Sequence, residues 1–219
     1  FNPKMIKLTK REESDICLSC GECCKRYYIT LLKSEIGPIA KELAISQKKF
    51  LADYCELHVK LFPKSTKGIL TFPTIFFPKR IGDLIKKNLK YSPEGFFVLP
   101  QIVLKRKDGI CPFLPENLAC EIYKSRPEPC KLFPFIAVPG YRENYPFCPL
   151  FRKTWKEYSK KSRAYFKKVK KYFNSIEEKG FEKFWRNPPK NGKIFLNETL
   201  LGKINLSELE QMMINRKVK

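Results

Sequence analysis

CLSCGECC, residues 17–24, places four cysteines within eight residues and limits the kinds of fold that this chain can form. Two thiols separated by two residues lie on one tight turn and can face a single tetrahedral metal ion. Gly21 permits the positive φ that a chain wrapping an ion often needs. Four cysteines this close cannot all pack in a core, and adjacent cysteines do not readily form a disulfide. The segment therefore predicts a loop of metal ligands.

Four further cysteines complete a candidate ligand set of eight. Cys111 and Cys148 each precede a proline, as does the distant ligand of bacterial ferredoxin sites. Because Cys23 and Cys24 are adjacent, we expect them to serve two centres, or two metals of one site, and we favour [4Fe-4S] iron-sulfur centres over zinc. A single site with spare or redox-active thiols is the alternative. The predicted metal ligands are Cys17, Cys20, Cys23, Cys24, Cys111, Cys120, Cys130 and Cys148.

The remaining cysteine and the single histidine are predicted to have other roles. Cys55 stands alone on a probable helix, which is typical of a buried core thiol. His58 is expected to be a local polar residue. With no second histidine, zinc sites rich in histidine are excluded, and hydrolase chemistry of the Ser-His-Asp type is disfavoured. Any enzyme activity of this chain is expected to work through its metal.

Apolar periodicity predicts an α+β fold that is mostly helical. Residues 31–54 fit two short helices broken near Ala44, and residues 80–91 fit a short basic helix. In residues 151–173, apolar side chains recur every three to four positions and predict a long helix. Ser207 to Glu210 has the spacing of a capping box and predicts a final helix.

The strand signals are fewer and lie next to the cysteines. Residues 96–105 are apolar and β-prone, and the Lys-Asp-Gly turn that follows predicts a small hairpin presenting Cys111. We therefore expect an irregular cysteine-rich metal-binding domain over residues 16–150, with residues 60–95 as a candidate insertion. A basic helical extension is expected over residues 151–219.

The charge of the chain indicates an anionic partner. Its net charge is +22, and residues 151–190 hold 14 Lys/Arg against 4 Asp/Glu. The basic face of helix 151–173 therefore predicts binding to nucleic acid or another polyanion, while its apolar and aromatic stripe is expected to be core. A protein partner is an open alternative. No apolar run reaches the length of a transmembrane helix, and residues 1–11 lack a signal-like stretch, so we expect a cytoplasmic protein.

These motifs, in this order, resemble the CxxCxxCC cysteine-cluster family, the YkgJ-like zinc- or iron-chelating domains. What the resemblance implies is metal binding, with iron-sulfur and zinc both open. Some longer relatives of the family are flagellin lysine N-methylases. The residues that carry the resemblance are the CLSCGECC segment, Leu31-x-x-x-Glu35-Ile36, Cys111-Pro-Phe-Leu114, Cys120-x-Ile-Tyr-x-x-Arg126-Pro-x-x-Cys130-x-x-Phe133-Pro134, and Cys148 as the eighth cysteine.

Taken together, the sequence predicts a metal-binding protein that carries iron-sulfur clusters on eight cysteines in a structural or redox-accessory role. A zinc-binding module that docks on nucleic acid or ribonucleoprotein is one alternative. A metal-dependent enzyme similar to the protein-lysine N-methylases is another, although the chain has no Gly-rich nucleotide loop.

Overall fold

The computed structural model describes residues 17, 19–64, 70–91, 93–133 and 155–217. Cys148 and the first residues of the long helix predicted at 151–173 lie outside these ranges. The elements, in chain order, are α1 (Glu22–Arg26), β1 (Thr30–Leu31), α2 (Lys33–Glu42), α3 (Gln47–Tyr54), β2 (Cys55–Lys64), β3 (Thr71–Pro73), a 3-10 turn (Thr74–Phe76), α4 (Lys79–Asn88), β4 (Gly95–Leu104), α5 (Glu128–Leu132), α6 (Trp155–Lys179), α7 (Phe181–Trp185), β5 (Asn191–Leu196), β6 (Thr199–Asn205) and α8 (Leu206–Lys217).

The strands form one mixed sheet in the order β1-β4-β2-β5-β6, with β3 also paired to β4. Strand β2 pairs with β4 along its whole length in antiparallel register, and its other edge pairs with β5 in parallel. The approach of β5 to β2 requires a glycine, because a Cβ at Gly192 would lie 1.7 Å from the carbonyl oxygen of Leu57. The C-terminal part of the chain is thus joined to the centre of the sheet.

The core lies between one face of this sheet and the helices. In β2, alternate residues Leu57, Val59 and Leu61 are fully buried, as expected for a strand with one face on a core. Helix α6 buries the aromatic and apolar stripe that the sequence predicted as core, and α8 closes the same cluster with two buried methionines. Among the described side chains of α6, the buried apolar ones are Tyr165, Tyr172, Phe173 and Ile176, and Ser162 is buried with them.

The predicted helices are largely confirmed. Helices α2 and α3 are separated by a break at Ala44, whose φ is 53°, and α4 covers most of the predicted basic helix. Helix α8 begins where a final helix was predicted, but its capping box was placed wrongly. The N–H of Glu208 donates to the side-chain oxygen of Asn205 at 2.9 Å, and the N–H of Asn205 donates to the carboxylate of Glu208 at 3.0 Å. Asn205 is the capping residue because it directly precedes the first helical turn.

The α+β class is confirmed, with more strand than expected next to the cysteines. The predicted turn at 107–109 is present, with positive φ at Asp108 and Gly109, but only one bridge follows it, between Lys107 and Ile110. Strand β4 instead pairs with β1 and β2, so the small hairpin expected to present Cys111 is a tight turn.

The two regions expected to be peripheral also contribute to the sheet and core. Residues 60–95 include the end of β2, all of β3 and the fully buried Leu70. Residues 151–219 supply β5 and β6 as well as helices. Across the described ranges, no helix is both long enough and apolar enough to cross a membrane.

Candidate metal centre

The predicted ligands meet in one place. Every cysteine of the predicted set that the structure describes lines a single cavity of about 60 Å³. That volume is several times the roughly 10–15 Å³ needed to admit one water, so the cavity has room for a bound ion or a small group of ions. The lining cysteines are Cys17, Cys20, Cys23, Cys24, Cys111, Cys120 and Cys130. Cys148 lies outside the described residues.

The first wall of the cavity is the CLSCGECC segment. Gly21 precedes α1 with φ of 63°, which confirms the positive φ predicted for it. A Cβ at this position would also lie 3.1 Å from the side chain of Leu114, so glycine is needed for space as well as for conformation. The backbone N–H of Cys111 donates to the carbonyl oxygen of Cys24 at 2.9 Å. This bond joins the segment to the turn after β4.

The second wall is the segment from Cys120 to Cys130, and helix α2 holds it in place. Glu35 in α2 accepts hydrogen bonds from the backbone N–H groups of Leu32 and Glu128, each at 2.6 Å. Glu42, seven residues later on the same side of the helix, accepts from the N–H of Ser125 at 2.8 Å. Two carboxylates therefore fix the backbone on both sides of Arg126, just before the last described thiol.

The thiols interact with one another inside the cavity. Hydrogen bonding with Cys111, together with burial, raises the pKa of Cys24 to about 12. Hydrogen bonding with Cys24 and then burial place the pKa of Cys23 far above its usual range. Burial raises the pKa of Cys120 and, with added repulsion from neighbouring thiols, that of Cys130. Cys23, Cys24, Cys120 and Cys130 therefore hold their protons more strongly than free thiols do, and a metal that binds to them must displace those protons.

The adjacent cysteines Cys23 and Cys24 lie together in the cavity. Both Cys23 and Cys24 line the same cavity, and their thiols contact each other. The two residues are consecutive in α1 and about 100° apart around its axis, and both line the cavity. The pair can therefore contribute both thiolates to one polynuclear site or to two neighbouring centres.

Arg126 is the cation that lies in the cavity wall. It is next to the thiol of Cys17, where it opposes the larger effect of burial, which raises the pKa of that thiol. Its guanidinium carbon lies 3.7 Å from the ring centroid of Tyr123, which also lines the cavity. Lys25 and Arg26, which follow the cysteine pair in sequence, instead form ion pairs with Glu22.

Apart from Gly21 and Glu22, the rest of the lining is apolar, and the donor set is sulfur-rich. Leucine, isoleucine and phenylalanine side chains complete the walls, including Ile29, Leu104, Leu114 and Phe133. Thiolate ligands suit both zinc and iron-sulfur centres, so the residues present fit either group. Within the described ranges, no three Cys, His, Asp or Glu side chains stand at ion-binding separations. Binding would therefore have to draw the clustered thiols together.

Cys55 and His58 lie apart from this cavity, as predicted. Cys55 is fully buried in the core at the start of β2, and burial raises its pKa to about 12. It begins a strand, whereas the sequence placed it on a helix. His58 is 1% exposed, and its Nε2 lies 2.7 Å from the carboxylate of Glu56. Lys193 donates to the same carboxylate at 2.9 Å.

The two carboxylates that support the second wall, those of Glu35 and Glu42, are not revealed by local sequence patterns. In the sequence, Glu35 stands out only as part of the Leu-x-x-x-Glu-Ile motif, and in the structure it caps α2 through the N–H of Leu32. Its second contact, to Glu128, joins residues 93 positions apart, which no local pattern reveals. The available signal is the Leu-x-x-x-Glu-Ile segment, because it accompanies the cysteine motifs in the family resemblance.

Comparison with known families agrees with this cysteine cavity. The model of the family CxxCxxCC, described as "Putative zinc- or iron-chelating domain", matches residues 16–149, more than half of the chain. The chain belongs to this family. The matched region contains all eight predicted ligands, so metal binding is the property that the family supports. No curated protein and no solved structure gives a significant match.

Proposed function

We propose that the cysteine cavity holds an iron-sulfur centre and that the protein has a structural or redox-accessory role through it. The supporting observation is that seven thiols line one cavity. A mononuclear zinc site uses four ligands, so seven thiols exceed what one zinc ion requires. With Cys148 as the eighth ligand, the set is sufficient for two four-thiolate centres, and [4Fe-4S] is the form we favour.

The residues around the cavity are suited to a buried anionic centre. A four-thiolate centre carries a net negative charge of roughly two, which is costly to bury without compensation. Arg126 supplies a positive charge next to Cys17, and the ring of Tyr123 holds the guanidinium in position. Apolar walls limit access of water. An iron-sulfur centre supplies one-electron chemistry when bound, and its potential depends on such charges and on burial.

The test is anaerobic purification followed by metal and sulfide analysis. We expect a brown protein that absorbs at about 400 nm and contains iron and inorganic sulfide in equal amounts. Cys24→Ser is expected to lose most of the iron, because Cys24 contacts two other thiols of the cavity. Cys55→Ser is the matched control, since Cys55 lies in the core and not in the cavity.

Two results would count against the proposal. A colourless protein that contains zinc but no iron would replace the iron-sulfur centre by a zinc site in the same cavity. Equal loss of iron from Cys24→Ser and Cys55→Ser would mean that the loss reflects the fold as a whole and not the loss of a ligand. The methylase alternative rests on resemblance alone.

Docking on a polyanion is a second candidate function, favoured by the surface of α6. Tyr165, Tyr172 and Phe173 of this helix are buried and unable to stack on bases, whereas several of its lysines are exposed. Binding would therefore depend on phosphate contacts and weaken steeply with salt. We expect Lys167→Ala/Lys171→Ala to reduce affinity for DNA and RNA duplexes at low salt. Binding that does not change between about 50 and 200 mM salt would remove this candidate.

A further inference from the structure

A second cavity lies beside the cysteine centre, on the far side of the segment that holds Arg126. Its volume is about 590 Å³, which is within the range of roughly 300–1,000 Å³ typical of small-molecule sites. It lies between α2, residues 124–131 and the exposed side of α6. We call it the basic cleft. Its charged lining residues are Lys41, Lys124, Arg126, Lys131 and Lys168, with Glu35, Glu42 and Glu128.

The positive charges of the basic cleft outnumber the negative ones by five to three. The acidic groups are moreover already engaged. Both oxygens of Glu35 accept backbone N–H groups, and Glu42 accepts the N–H of Ser125. Glu128 lies 3.4 Å from the ammonium of Lys168. The carboxylates keep their negative charge while they make these contacts, so five cations and three carboxylates leave the cleft with a net charge of about +2.

Three of the cations have no such partner. Among the described residues, Lys41, Lys124 and Lys131 form no ion pair within 4.0 Å, although all three line one concave surface. Like charges gathered in a cleft raise the local concentration of anions. Arg126 adds a further donor, because its Nε is buried without a hydrogen-bond partner in the described part of the chain. A buried donor left unpaired is unusual and calls for an acceptor.

We propose that the basic cleft binds a small oxyanion that carries more than one negative charge, such as a phosphate ester or a dicarboxylate. Lysine ammonium groups contact such oxygens from several directions, and guanidinium N–H groups form charge-assisted bonds to them. The concave shape of the cleft fits a compact anion better than the extended backbone of a nucleic acid. Its three carboxylates also disfavour a polyanion that would lie across the whole cleft. The exposed lysines of α6 outside the cleft face solvent on a convex helix surface instead.

The position of Arg126 connects this ligand to the metal centre. Arg126 lines both the cysteine cavity and the basic cleft. An anion bound in the cleft would therefore lie near the same guanidinium that faces Cys17. Anion binding itself depends only on the cleft residues and does not require that the metal be iron.

The test is calorimetric titration of the protein as purified, in buffer of about 50 mM chloride to limit screening. Glucose 6-phosphate and succinate are the two probes, chosen because both chelate metals weakly, and metal content is measured before and after titration. We expect one saturable site for at least one probe. Lys124→Ala/Lys131→Ala is expected to weaken that binding about tenfold, because two charged contacts are lost.

Lys86→Ala/Lys87→Ala is the matched control, because it removes the same charge from exposed positions on α4, a helix that does not line the cleft. Its affinity for the probe is expected to stay within about twofold of the unmodified protein, since neither lysine lines the cleft and exposed charges that make no contact contribute little. The proposal is overturned if neither probe binds saturably, or if the two double variants lose the same affinity. Zinc in place of iron would leave the proposal standing, so its failure is distinct from failure of the iron-sulfur proposal.

Discussion

Replacing Glu35 with alanine removes the carboxylate that joins α2 to the start of α5. Both oxygens are used, one by the N–H of Leu32 and the other by that of Glu128, and both distances are 2.6 Å. The substitution leaves two backbone N–H groups without acceptors at a partly buried position. We expect the segment that leads to Cys130 to lose its attachment, with a lower metal content as the second effect.

The size of the effect follows from the two bonds. A hydrogen bond to a charged acceptor contributes about 1.5–3 kcal/mol, so two such bonds contribute about 3–6 kcal/mol before the cost of burying the carboxylate. That cost is real, because burial raises the pKa of Glu35 even though the two N–H groups act to lower it. We therefore expect Glu35→Ala to lower the free energy of unfolding by about 3 kcal/mol, the lower end of this range. Glu35→Gln keeps one acceptor oxygen and is expected to lose about half as much.

The measurement is urea unfolding of the metal-loaded protein, followed by circular dichroism. With a slope of about 2 kcal/mol per molar urea, a loss of 3 kcal/mol lowers the midpoint by about 1.5 M. Glu94→Ala is the control, since Glu94 is exposed and its loss is expected to change stability by no more than about 0.5 kcal/mol. If Glu35→Ala unfolds at the same midpoint as Glu94→Ala, the carboxylate does not hold the two elements together.

Three further predictions test the sheet, the core and the thiols. Gly192→Ala should unfold the protein or lower its melting temperature strongly, because the added Cβ meets the carbonyl oxygen of Leu57. Gly82→Ala is the control: Gly82 has open space around it in the middle of α4, so this substitution should raise stability by up to about 1 kcal/mol. Tyr172→Phe should cost about 1–2 kcal/mol in thermal unfolding, because the buried hydroxyl accepts from Trp185 at 3.1 Å. Burial raises the pKa of the cavity thiols, so protons compete with metal as the pH falls. Chelator competition should therefore show metal affinity decreasing from pH 8 to pH 6, and an affinity independent of pH would contradict thiolate ligation.

The parts of the fold that could be predicted from the sequence are those that depend on the spacing of residues close together in the chain. The turn at Gly21, the break between α2 and α3, and the buried stripe of α6 all depend on residues a few positions apart. The clustering of cysteines likewise indicated ligands without knowledge of the fold. Such signals are reliable because the chemistry of a tight turn or of a helix face involves only neighbouring residues.

The parts that could not be predicted depend on distant partners. Strand β2 carries a clear alternation, with Leu57, Val59 and Leu61 buried, but it follows a helix without a break, and the helical rhythm conceals it. The pairing of β5 with β2 joins residues more than 130 positions apart. The contact from Glu35 to Glu128 and the position of Arg126 between two cavities likewise arise only when separate segments pack together.

The parallel pairing of β2 with β5 also determines when this protein is able to fold. During synthesis, the residues matched by the family leave the ribosome well before Asn191–Leu196 do. Until then, one long edge of β2 has no partner from β5, and closing the intervening loop carries an entropic cost that local contacts do not offset. An open strand edge next to a cluster of reduced thiols invites both intermolecular strand pairing and oxidation. Pairing with β5 therefore ends the period in which the nascent chain is exposed to these two reactions.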